Sequence, residues 1–193
     1  MLNRFRKLWR NDRGVSAIEF ALLAPMLVML FIGCTEVTFK IWSTQKGEKL
    51  AVTLSDVVAQ SQNVSCDDLR GLVGSVDKIM DPFPFGNNGR VYISSVYVAQ
   101  GDTIPKLNWQ FKSASGITVD SKIGMTINAA ATLPSGFTMA EKDNVIVAEV
   151  FYKYEPIAPG FLFNEETIYR RALFKPRLGA LTSLLGASAG KCS

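Results

Sequence analysis

Residues 15–33 read VSAIEFALLAPMLVMLFIG, an almost unbroken apolar run interrupted by one carboxylate and one proline. Such a run is about the length a helix needs to cross the hydrocarbon core of a bilayer. Ten of its residues are Leu, Ile, Val or Phe, which together favour insertion by about 3–6 kcal/mol. Glu19 opposes insertion by at most about 3 kcal/mol at the bilayer centre, and by less near an end. Insertion therefore wins. Pro25 is expected to kink the helix or free a carbonyl, a defect that neighbouring helices repair.

The charge of the chain supports the same topology. The formal net charge is +4, and Arg4, Arg6, Lys7, Arg10 and Arg13 against Asp12 account for it within the first 14 residues. A basic leader before an apolar span is the mark of a cytoplasmic flank. A nucleic-acid-binding arm is the weaker explanation, because the rest of the chain is charge-balanced. No histidine is present, which excludes Ser-His-Asp and Cys-His catalysis and removes the commonest metal ligand. Cys34, Cys66 and Cys192 are too dispersed for a zinc-ligand pair. Cys66 and Cys192 would lie beyond the membrane, where disulfides persist, and are a candidate pair. No cofactor or metal is expected.

After the span the helical period continues. Val37, Ile41, Thr44, Ala51, Leu54 and Val58 recur at spacings of three, four or seven, with only Gly47 against a helix. The reading is a stalk over 35–62 with one face on a head domain over 63–176, and a small-residue tail over 177–193 expected to be mobile unless Leu181, Leu184 and Leu185 dock it. Ser65 and Asp68 form a capping-box start for a second helix, whose stripe runs Leu69, Leu72, Val73, Val76, Ile79 and Met80 until Asp81-Pro82. The period then changes to two. Strands are expected over Arg90–Gln100, around Leu107, Trp109 and Phe111, over Val145–Tyr154 and over Thr167–Phe174. The fold class is α+β: a long N-terminal helix, a second helix and an antiparallel sheet of about four strands.

The chemistry sits at the inner edge of the span. A basic leader ends in Gly14, and cleavage after it would make Val15 the new N-terminus. Glu19 then lies one turn along the same helix face. A carboxylate in lipid seeks a cation, and the freed amine of a neighbouring chain would supply one. Gly14 followed by Glu19-Phe20 resembles the processing site of Flp pilins and pseudopilins of tight adherence (Tad) systems. RGVSAIEFALLAPMLVMLFIG is especially similar to the opening of TadE-like proteins, and NVIVAEVFYKYEPI resembles their late, tyrosine-rich strand. The length fits TadE or TadF, and Phe20 replaces the tyrosine usual in major pilins.

The resemblance implies a minor pilin or pseudopilin in assembly of a type IV pilus for surface adhesion, and not an enzyme. The implied partners are a prepilin peptidase, other minor pilins, the major Flp pilin, an inner-membrane assembly platform and the lipid membrane, with no nucleic acid. The implied location is the bacterial inner membrane, crossed once, with the leader cytoplasmic and the head periplasmic. The alternative reading is a lipoprotein or single-pass assembly factor outside any filament, since Phe31-Ile32-Gly33-Cys34 resembles a lipobox. A secreted hydrolase is disfavoured by the missing histidine. Asp67-Asp68 and Glu165-Glu166 read as capping and solvated surface. Phe83, Phe85, Phe161 and Phe163 read as core under loops, or as exposed area for a partner.

Overall fold

The computed structural model describes residues 15–114 and 116–192; the leader, Gly14 included, lies outside them. Helix α1 runs without a break over Val15–Ala59, 45 residues, or about 68 Å at 1.5 Å per residue. Helix α2 covers Cys66–Gly74 and α3 covers Val76–Met80. The expected second helix is thus split at Ser75, whose N–H and hydroxyl both bond the Leu72 carbonyl and close the first piece. Its start is as expected. Ser65 Oγ accepts from the Asp68 N–H at 3.2 Å while the Asp68 carboxylate accepts from the Ser65 N–H at 3.0 Å.

Five strands follow: β1 (Gly89–Tyr97), β2 (Lys106–Lys112), β3 (Asn144–Tyr154), β4 (Glu166–Phe174) and β5 (Lys191–Cys192). They form one sheet in the order β4-β3-β1-β2-β5. The four long strands are antiparallel to their neighbours, but β5 runs parallel to β2. The sheet is therefore mixed and one strand larger than expected.

One sheet face carries Val91, Ile93, Trp109, Phe111, Ile146, Ala148, Val150 and Tyr152 against Leu50, Leu54 and Val58 of α1 and Leu69 and Met80 of the short helices. Fully burying each such aliphatic side chain contributes about 1.5–3 kcal/mol. The other face holds a smaller cluster of Val96, Leu107, Ile123, Val145 and Val147. Leu107 was expected beside Trp109 and Phe111. A register shift corrects this: Ser95 faces Trp109, the next residue Val96 faces Leu107, and Asn108 is the extra residue. The bulge turns Leu107 to the opposite face.

The tail is docked through Leu181, one of the three leucines that offered an anchor. The buried Leu181 accepts at its carbonyl from Ser95 Oγ and Trp109 Nε1, both at 2.8 Å, and its N–H donates to Asn144 Oδ1. Cys192 is disulfide-bonded to Cys66. Small residues carry little packing area, but here three polar groups of the sheet leave the tail no competing partner.

The face of α1 also differs from the expected stripe. Its upper part buries Leu50, Ala51, Leu54 and Val58, whereas its lower part buries Gly33, Glu36, Ser43 and Gly47 and exposes Val37 and Ile41. The neighbours there are Phe161 and Leu162 of the β3–β4 loop at Gly33, Tyr154 and Ala158 at Glu36, and Arg170 of β4 at Gly47. A Cβ added at Gly47 would stand 3.8 Å from Arg170 Cγ, ordinary contact distance. Gly47→Ala is accordingly expected to stabilise the protein by about 0.5–1 kcal/mol through helix propensity, read from denaturant midpoints. A loss of stability would mean that the contact with β4 has no room to give.

Candidate functional site: the N-terminal helix and its junction with the head

Residues 15–32 of α1 form an apolar rod of which no side chain is buried among the described residues. Ile18, Phe20, Leu22 and Phe31 are each more than 60% exposed, and the apolar window in this helix that is long enough to cross a membrane has none of its residues buried. An exposed apolar surface of this size needs lipid or other helices around it. Val15 begins the helix, Glu19 and Phe20 lie exposed in its first two turns, and Pro25 sits inside it with the helix continuing on both sides. Pro25 has no N–H to give the Ala21 carbonyl, so that helical hydrogen bond is missing. Gly14, on the other side of the expected bond, lies outside the described residues.

The junction with the head is polar and specific. Glu36 is fully buried. Its Oε1 accepts from the Ala158 N–H at 2.7 Å and its backbone carbonyl accepts from Tyr154 Oη at 3.3 Å. Its Oε2 has no hydrogen-bond partner among the described residues. One turn on, Lys40 pairs with Glu166 at 2.8 Å and lies over the Phe163 ring, and Lys46 Nζ donates to the Ile79 carbonyl at 3.0 Å. The stripe expected for the stalk does not include Glu36. The available signal was a second carboxylate three residues beyond the span, where the stalk was expected to be apolar on its inner face.

Of the four phenylalanines singled out, Phe83 and Phe85 are buried, and Phe83 meets Trp42 edge-on with ring centroids 5.4 Å apart. Phe161 is exposed and Phe163 half-buried. Asp67 pairs with Arg70, and Asp68 serves the α2 cap. Glu165 pairs with Lys153 and Glu166 with Lys40. Cys34 is an exposed free thiol within α1. Among the described residues no three His, Cys, Asp or Glu side chains come together as a metal-binding group.

Glu149 is the one other buried carboxylate among the described residues. It accepts from Ser121 Oγ, from the Lys122 N–H and Tyr169 Oη at 2.9 Å each, and so ties the irregular 116–131 segment to the outer sheet face. Burial pushes its carboxyl above the usual range, against the pull of those hydrogen bonds. A carboxyl raised in the folded state contributes stability that is full below its unfolded value of about 4.3 and is lost as pH rises through the folded value. Glu149→Gln is expected to remove this decline, flattening stability against pH on the alkaline side of about 4.3. An unchanged slope in denaturation at stepped pH would assign the decline to another group.

Comparison with known proteins bears on the N-terminal helix. Residues 14–46 match the family model described as TadE-like protein. The match begins at the expected cleavage residue and covers Glu19, Phe20, Pro25, Glu36 and the start of the stalk. No curated protein and no solved structure matches the chain.

Proposed function

We propose that this chain, which carries a TadE-like N-terminal segment, is a minor pilin or pseudopilin. A prepilin peptidase cleaves it after Gly14, and it acts in assembly of a Tad-type pilus as a structural subunit, not an enzyme. The observation that carries this reading is the TadE-like match over residues 14–46. It falls on a helix whose outer surface is apolar and unpacked and whose Glu19 stands one turn from Val15.

The chemistry follows from that arrangement. Cleavage turns Val15 into a free ammonium at the membrane edge, and Glu19 of an adjacent chain accepts it. The pair removes an uncompensated charge from lipid and fixes how far one helix slides along the next. Before extraction the apolar half of α1 anchors the chain, with the leader cytoplasmic and the head on the far side. In the assembled state the same surface bundles with the helices of other minor subunits and the major pilin. The head, held to α1 through Glu36, Lys40 and the apolar cluster around Leu50 and Leu54, is carried with it as one body.

The test is complementation. In a host that builds Tad pili, deletion of this gene is expected to remove surface filaments seen by electron microscopy. The full chain should restore them, and a head exported without residues 1–34 should not. Restoration by the free head would exclude a subunit role for the helix.

A further inference from the structure

We infer that the loop between β3 and β4 seats in the headgroup boundary of the bilayer through Ile157, Phe161 and Leu162, making the head a peripheral membrane domain and not only a cargo of the anchor. The inference rests on residues 15–33 spanning the membrane, as proposed above.

Gly33 ends the span. A Cβ placed on it would lie 3.2 Å from Leu162 Cδ1 and 3.7 Å from Phe161 Cε1. The loop is therefore folded back onto α1 at the level where the helix leaves hydrocarbon. Its tip points apolar groups outward: Ile157 is 62% exposed, Leu162 49% and Phe161 44%. The contact with Gly33 leaves much of these three side chains uncovered, a cluster of exposed apolar surface in one short loop.

The surroundings favour lipid as the occupant. Beyond Gly33, α1 exposes Val37, Ile41 and Trp42 beside Thr35 and Thr38, and Phe161 and Leu162 of the loop adjoin the end of the span directly at Gly33. Aromatic side chains are favoured at this depth. The charged side chains at the two ends of the loop are paired, Lys40 two turns beyond Gly33 with Glu166, and Lys153 with Glu155 and Glu165. An apolar edge under a polar rim is the pattern of an interfacial segment. The sheet direction agrees, because β3 runs from Asn144, paired with Tyr97, back to Tyr152, paired with Gly89. The β1–β2 loop with Ile104 thus lies at the end of the sheet away from the β3–β4 loop.

Nitroxide labels on the full chain in phosphatidylcholine–phosphatidylglycerol liposomes read this directly. In a Cys34→Ser background, single Ile157→Cys and Phe161→Cys labels are compared with Leu22→Cys in the span and Ile104→Cys in the distal loop. All four positions are exposed in the fold, so the labels displace no core. Relaxation by oxygen is expected to exceed that by a water-soluble nickel chelate at 157, 161 and 22, with the order reversed at 104. Nickel-favoured labels at 157 and 161 with an oxygen-favoured 22 overturn the loop inference alone. A nickel-favoured 22 overturns the membrane anchor itself. Labels at 157 and 161 shielded from both reagents would show a second protein chain covering the loop, which also overturns it.

Discussion

A Glu19→Ala chain is expected to be cleaved normally and to remain in the membrane, yet to fail in filament incorporation. Removing the carboxylate makes insertion easier by up to about 3 kcal/mol, so the anchor is not what is lost. The cation partner is. If the Val15 ammonium of a neighbour contributes as little as about 1.4 kcal/mol through Glu19, incorporation falls about tenfold. Glu19→Asp should recover part of it, since the charge remains with a shorter reach. The measurement is the ratio of sheared filament protein to membrane protein by immunoblot. Normal incorporation of the alanine variant would remove the pairing from the mechanism, while leaving the anchor and the head untouched.

The second large effect is expected at the disulfide. Cys66 and Cys192 are 126 residues apart, so their bond constrains most of the head in the unfolded chain. On the chain-entropy account a loop of this length contributes about 5 kcal/mol. The Cys66→Ser, Cys192→Ser double variant should lose roughly 4–5 kcal/mol in denaturant unfolding, and the 177–192 tail should become the first site of proteolysis. In the native chain Cys66 starts α2 beside the Leu185 carbonyl, which accepts its N–H at 2.9 Å, while Cys192 pairs with Phe111 across β5 and β2. The bond therefore fastens the last strand to the first short helix. A loss below about 1 kcal/mol would place the stabilisation of the tail in the Leu181 hydrogen bonds instead.

Much of this architecture was legible in the sequence. The apolar run and the helical period behind it gave one helix, and residues 15–59 form one. The period-two segments around Val91, Trp109, Ile146 and Ile168 gave four strands, because each sends alternate residues into the core under α1. The capping box at Ser65 and Asp68 was legible because a cap is local chemistry. What stayed hidden depends on groups far apart in the chain.

The docking of the tail rests on Ser95, Trp109 and Asn144 meeting the backbone of Leu181, and periodicity carries no trace of side-chain bonds to a distant main chain. The 116–131 segment is held by Glu149, and the Arg90 guanidinium donates to the carbonyls of Ser113, Gly116 and Ile117. A strand pattern shows such residues only as polar interruptions. The lower stalk misled for a related reason. Val37 and Ile41 were placed inward because they are apolar, but beyond a membrane span an apolar side chain has lipid or a neighbouring helix as an alternative to the core. The small and polar set of Gly33, Glu36, Ser43 and Gly47 took the inner face. That Val15, Glu19 and Phe20 lie on one continuous helix was legible in the apolar run, whereas the junction residue Glu36 was not.

The central claim is that the N-terminal helix of this chain is a processed pilin helix, and the intact mass of the protein extracted from membranes of a Tad-producing cell tests it most directly. The account predicts a chain that starts at Val15, and an uncut chain in a strain lacking the prepilin peptidase. A chain starting at an acylated Cys34, or one that keeps its first 14 residues when the peptidase is present, would contradict it.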